Sequence, residues 1–191
     1  RGSADAMGYR HLADAGIYWF DVSNLPANAK VIDAHLQLSS VSASFDEAGG
    51  LPIFLAQTLP PNDSITWVEG SGTGYYDQYG GTSWLKKDNV SGSQPRYPWS
   101  NLAGEFGTGD LASTYSGAAV AQMRLEKPVG DYNSGNLAAA IQQIIGAGNR
   151  YEGFVIERRA ASGSVRKDAM AAKEFSDITK RPALYIAYEG P

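Results

Sequence analysis

Cysteine is missing from the chain altogether, and only two histidines, three methionines and 19% charged residues occur in its 191 positions. Without cysteine there is no disulfide framework, no thiol nucleophile and no thiolate metal site. With His11 and His35 alone, and neither in an H-x-x-H or H-E-x-x-H spacing, a histidine-based transition-metal centre is not expected. No apolar run approaches the roughly 18 residues of a membrane-spanning helix. Basic residues are no more abundant than acidic ones, 16 Lys+Arg against 20 Asp+Glu for a net charge of −4, and the Lys and Arg are scattered, which argues against a nucleic-acid partner. No phosphate loop, dinucleotide fingerprint or G-x-S-x-G elbow is found, and the run Gly70-Ser71-Gly72-Thr73-Gly74 lacks the lysine and following helix of a phosphate cradle. What is present is 43% apolar residues, 22 glycines and 11 tyrosines. That excludes wholesale disorder and suits one domain of ordinary size.

Most of the chain repeats with period two. In residues 16–22 (GIYWFDV), Tyr18, Phe20 and Val22 alternate with Ile17, Trp19 and Asp21, and Pro26 closes the run. In residues 31–39, Ala34, Leu36 and Leu38 share one face and His35, Gln37 and Ser39 the other. Residues 52–58, 153–157 and 183–188 are further strand candidates. One segment, residues 135–146, follows a helical period instead. Leu137, Ala140, Ile141, Ile144 and Ile145 form its apolar stripe, Ser134 or Asn136 is its candidate N-cap, and Gly146 and Gly148 stand at its end. The expected fold class is therefore all-β, with one short helix. Residues 9–191 form a single domain, and residues 1–8 read as flexible or as introduced by cloning. The absence of an initiating Met and the strand-like first dozen residues favour a piece of something longer.

Residues 59–117 break both periods. They hold ten of the 22 glycines, the pair Pro60-Pro61, and aromatics that include Trp67, Tyr75, Tyr76, Tyr79, Trp84, Tyr97, Trp99 and Phe106. A loop zone of this length is either functional or packed on itself. A sugar ring offers an apolar C–H face and a rim of hydroxyls, which flat aromatic rings and nearby amide, carboxylate or guanidinium groups can take. Tyr75, Tyr76 and Tyr79 with Asp77 and Gln78, and Tyr97 and Trp99 with Arg96, have that composition and are the expected ligand-binding residues. The competing reading is that Trp67, Trp84, Trp99 and Phe106 pin the loops to the body. Lys86, Lys87 and Arg96 could meet a uronate polymer, although Lys86-Lys87 also reads as a solvated turn. Asp46, Glu47, Asp77, Glu105, Asp110 and Asp131 are read as loop carboxylates; a structural calcium is the one metal they would suit, without EF-hand spacing. No other cofactor is expected, and no catalytic residue is assigned. Asp21 reads as a strand-end hydrogen-bonding group rather than half of a carboxylate pair.

The order of the motifs resembles the DNRLRE-type domain family. The residues that carry the likeness are Tyr18 through Pro26 with Ala29 through Leu38, Trp67-Val68-Glu69-Gly70-Ser71-Gly72-Thr73-Gly74, Gly81 through Lys87, Pro98 through Phe106, and Phe175 through Tyr188, about residues 9–189 in all. The resemblance implies a jelly-roll β-sandwich, to which the composition adds long Gly/Tyr-rich loops. It also implies a non-catalytic module of an extracellular or surface-attached protein, which binds polysaccharide or neighbouring domains of a larger chain. Two alternatives stay beside it: a structural or adhesive module of a cell-surface or virion decoration or fibre assembly, oligomeric in some forms, and a small jelly-roll enzyme acting on glycans. Neither nucleic-acid binding nor membrane insertion is expected.

Overall fold

The computed structural model describes residues 6–9, 15–42, 50–56, 86–88, 97–98, 118–124, 130–157 and 168–190. The strands among them are β1 (Ala6–Tyr9), β2 (Ala15–Tyr18), β3 (Lys30–Ser42), β4 (Gly50–Ala56), β5 (Lys86–Asp88), β6 (Tyr97–Pro98), β7 (Ala121–Arg124), β8 (Gly130–Asn133), β9 (Gly153–Glu157), β10 (Asp168–Ala171) and β11 (Ala183–Glu189). One helix, α1 (Ala138–Gly146), stands between β8 and β9. All pairings are antiparallel. The all-β class is as expected. Strand β1 falls partly inside residues 1–8, which the sequence had set outside the domain, and pairs with β10 from Ala6↔Ala171 to Tyr9↔Asp168.

Sheet A is built on the long strand β3. Gln37 pairs with both Ala183 of β11 and Asn133 of β8, and Ser40 with both Met170 of β10 and Gly130 of β8. Strand β8 therefore runs along one edge of β3, and β11 and β10 succeed each other along the opposite edge. Sheet B has the order β2-β9-β4-β7. Strands β5 and β6 form a separate two-stranded ribbon.

Alternation decides which side chains enter the core. Ala34, Leu36 and Leu38 of β3 are fully buried, together with Tyr132 of β8 and Met170 of β10. Leu51, Ile53 and Leu55 of β4, Met123 of β7 and Phe154 and Ile156 of β9 come from sheet B into the same cluster. The register of β3 shifts near its start. Two steps on β3, from Asp33 to Val31, answer one step on β11, from Ala187 to Tyr188. An extra residue reverses the alternation, so Val31 packs against the core and Ile32 is exposed.

The two sheets meet at Ser134-Gly135. Ser134 N–H donates to Leu36 O in sheet A (2.9 Å), and its hydroxyl accepts from Leu36 N–H (2.9 Å). Gly135 N–H donates to Gln122 O of β7 in sheet B (2.8 Å). Helix α1 follows directly, starting three residues later than the periodicity predicts. The N-cap is Leu137, not Ser134 or Asn136, and Asn136 just before it accepts from Ala138 N–H at 2.7 Å. The predicted stripe is correct: Leu137, Ala140, Ile141, Ile144 and Ile145 are all buried. Each large member contributes about 1.5–3 kcal/mol of transfer free energy. At the far end Gly148 N–H bonds to Ile145 O and Asn149 N–H to Ile144 O, with Gly148 at φ 69°. That is a Schellman stop, and it requires the left-handed conformation that glycine adopts freely. Gln142, on the polar side, straps the helix to the chain entering β3, accepting from Val31 N–H (3.0 Å) and donating to Ala29 O (3.2 Å).

Strand β2 is shorter than predicted. It stops at Tyr18, yet Val22 beyond it is still buried. The hydroxyl of Tyr151 holds this extension, donating to Phe20 O (2.6 Å) and accepting from Phe20 N–H (2.9 Å). Asp21 then accepts from Ser23 N–H (2.9 Å), the strand-end role expected of it.

Candidate ligand-binding face

The inward-pointing residues of sheet A leave the complementary set on its outer face: Asp33, His35, Gln37 and Ser39 from β3, Ala183, Tyr185 and Ala187 from β11, and Asp131 and Asn133 from β8. Their register is Ala187↔Asp33, Tyr185↔His35, Ala183↔Gln37↔Asn133 and Ser39↔Asp131. Directly opposed side chains in an antiparallel pair lie close enough to interact. The rings of His35 and Tyr185 stack at 5.1 Å with 22° between their planes. The Tyr185 hydroxyl donates to Gln37 Oε1 at 3.2 Å. Because its neighbours on the same face of β11 are alanines, Tyr185 stands above them, with 49% of its surface exposed. Gln37 Nε2 and the Asn133 amide have no partner among the described residues.

The other end of the face is tied down. Ser39 hydroxyl donates to Asp131 Oδ1 (2.6 Å), and Lys180 Nζ donates to the same oxygen (3.0 Å). Lys180 belongs to a short 3-10 helix, Ile178–Lys180, in the connection from β10 to β11. That connection starts and ends on one edge of β3, whereas Asp131 is on the other, so the lysine reaches across β3. This explains why Ser39, on the outer face, is buried. The Ser39 hydroxyl bond, followed by the bond from Lys180, holds the Asp131 carboxyl below its ordinary range. Asp177 starts the 3-10 helix by accepting from the Thr179 hydroxyl (2.7 Å) and Thr179 N–H (3.0 Å), and these bonds lower its carboxyl in the same direction.

Chemically, this face offers one standing aromatic plate braced by an imidazole, with amide donors and acceptors beside it and a carboxylate locked to an ammonium at its end. An apolar ring face with polar groups at its margin can take an amphipathic, uncharged ligand.

Of the ligand-binding residues expected from the sequence, Tyr75, Tyr76, Asp77, Gln78, Tyr79, Arg96 and Trp99 lie outside the described residues. Tyr97 is in β6, whose backbone pairs with β5 as Lys86↔Pro98 and Asp88↔Tyr97. Lys86-Lys87 is therefore part of a strand and not a turn, which corrects the reading above. Asp131 is a second correction. It occupies β8 and not a loop, and the ammonium of Lys180 already sits on its carboxylate. The other carboxylates considered for calcium, Asp46, Glu47, Asp77, Glu105 and Asp110, lie outside the described residues. No group of three potential metal ligands occurs among the described residues. His35 points outward, as the alternation predicts. The sequence reading missed Tyr185 as a surface group. Its signal was present in A-L-Y-I-A-Y, where alanines flank the tyrosine at i−2 and i+2 on one face. No helix among the described residues is long and apolar enough to cross a membrane. No family model, curated protein or solved structure matches the chain.

Proposed function

We propose that the chain is a non-catalytic polysaccharide-binding module of an extracellular or surface-attached protein, folded as a jelly-roll sandwich of the DNRLRE type. The observation that carries this reading is the exposed Tyr185 ring, braced by His35 and bonded to Gln37, on a sheet face with small neighbours. The stack on His35 and the bond to Gln37 use one side and the tip of the ring; the part left in water between two alanines is an apolar surface that a pyranose C–H face can cover. The order of sequence motifs supports the same reading. The loop aromatics Tyr75, Tyr76, Tyr79 and Tyr97 are the second seat the proposal allows.

Affinity electrophoresis through gels cast with neutral and acidic polysaccharides tests it. The wild type is expected to be retarded by at least one polymer, and Tyr185→Ala to weaken that retardation about tenfold or more. Tyr185→Phe, which keeps the ring, should retain most of it. A quadruple Ala variant at Tyr75, Tyr76, Tyr79 and Tyr97 measures the loop contribution. Absence of retardation in every gel would sink the proposal, as would release of reducing ends or unsaturated uronates by the isolated chain.

One observation favours the structural reading. Strand β11 lies at the end of its sheet order and, through Tyr188, carries no proline or charge to blunt its edge. Pairing of β11 with another chain would make the module a connector. Sedimentation equilibrium of the wild type and of Ile186→Pro separates the two readings: a dimer or larger species abolished by proline supports the connector.

A further inference from the structure

A second aromatic site stands apart from the Tyr185 face, just beyond β2 of sheet B. Trp19 keeps 47% of its surface exposed, an uncommon placement for the largest apolar side chain. It is nevertheless firmly supported. Its indole stacks on the Tyr151 ring (6.4 Å, 27°), and Tyr151 is braced edge-on by the fully buried Phe154 (5.7 Å, 61°). The same Tyr151 hydroxyl fixes both backbone polar groups of Phe20, the residue that follows the indole. Burial foremost pushes this hydroxyl up to about 12; the Phe20 bond opposes the shift, and the nearby negative charge of Asp21 adds to it. Trp19 and Asp21 stand on either side of the half-buried Phe20 in this extension, and both are exposed. The Ser23 hydroxyl and the Ser23 N–H (2.9 Å to Oδ1) both bond the Asp21 carboxylate, which orients this exposed group and holds it below its ordinary range.

We propose that Trp19 and Asp21 form a sugar seat for a neutral hexopyranose, the indole taking the C–H face of the ring and the carboxylate accepting hydrogen bonds from adjacent hydroxyls. Both groups are ordered by the fold before any ligand arrives, so little conformational entropy remains to be lost on binding. A uronate is disfavoured, because its carboxylate would meet that of Asp21 with no cationic side chain bonded to it among the described residues. The ligand class rests on the polysaccharide reading above; the location does not.

The test uses indole N–H resonances. The chain has four tryptophans, and Trp19→Phe assigns one of the four signals. Titration of the intact chain with β-1,4-linked gluco- and manno-hexasaccharides is expected to shift the Trp19 signal, and a galacturonate hexamer is expected to leave it in place. Asp21→Asn keeps an oxygen for Ser23 N–H while removing the charge, and should weaken the response about tenfold. Tyr185→Ala should leave the Trp19 shift intact. If a neutral hexasaccharide binds elsewhere and the Trp19 signal stays still, this inference fails and the polysaccharide reading survives. If the Trp19 signal moves only with the uronate, the assigned chemistry is wrong. If no signal moves and no gel retards the protein, both fail.

Discussion

The two sheets share one core but differ on their other faces. In β9 and β4, alternation should send every second side chain to solvent, yet Val155 is 0% exposed and Phe54 is buried. Neither belongs to the shared core. They stand side by side with Ile17 in the register Ile17↔Val155↔Phe54. Sheet B is therefore buried on both faces at its centre, whereas sheet A turns Asp33, Tyr185 and Ala187 to water. A sheet buried on both faces reads as a continuous apolar run, and a half-buried one as an alternation. The contrast separates scaffold from candidate surface: substitutions in sheet B should act through stability, and those on the outer face of sheet A through binding.

The largest effect breaks or confirms that contrast with one substitution made twice. Val155→Lys forces an ammonium into an apolar, two-sided environment and should cost about 4 kcal/mol or more. Ala187→Lys, on the outer face of sheet A and opposite Asp33, should change stability by less than about 0.5 kcal/mol. Urea unfolding of both variants reads the difference; similar midpoints would mean that the outer faces do not differ. A smaller effect sharpens the same comparison through two glycines of positive φ, Gly153 at 139° and Gly130 at 153°. A Cβ on Gly153 of β9 would lie 2.9 Å from Ile17 Cγ1 and 2.9 Å from Tyr18 O, whereas one on Gly130 of β8 meets nothing within 4 Å. Gly130→Ala then carries the backbone strain alone, about 1 kcal/mol, and Gly153→Ala adds displacement of β2, for about 3 kcal/mol. Equal losses would show that β2 yields without resistance.

The sequence revealed these features unevenly, for physical reasons. Period two in A-H-L-Q-L-S and period 3.6 in L-x-x-A-I-x-x-I-I each reflect one buried face, so β3 and α1 were legible with their inward residues. Burial of Val155 was not, because G-F-V-I-E is apolar at neighbouring positions whichever face is inward. The bulge that exposes Ile32 was also hidden, since it depends on the register with β11. Asp131 looked like a loop carboxylate because G-D-Y-N is rich in turn-forming residues; four residues hydrogen-bonded to β3 override that local preference. Of the candidate site, composition drew attention to the clustered tyrosines. Tyr185 and Trp19, single aromatics in strand-like segments, gained significance only once their neighbours in space were known.

The smallest effect concerns how the outer face of sheet A is held. Sheet B is secured there by burial, which salt barely touches, whereas Asp131 links β8 to β3 and to the β10–β11 connection through Ser39 and an ion pair with Lys180. Both side chains of that pair remain 39–40% exposed, so solvent screens it and its worth is well under about 1 kcal/mol. The carboxyl of Asp131 is lowered in the folded chain from 3.8. Its contribution is therefore complete above that pH and is lost as the pH falls through the lower folded value. Asp177 titrates in the same direction, so the Asp131 share must be read as a difference. Asp131→Asn keeps an oxygen for the Ser39 hydroxyl and removes the charge facing Lys180. It should cost about 0.5 kcal/mol at pH 7 and low salt, less at high salt, and nothing once the pH has fallen through the lowered folded value. Parallel acid unfolding curves for wild type and Asp131→Asn would show that the pair adds nothing, and that the serine bond alone holds this end of the face.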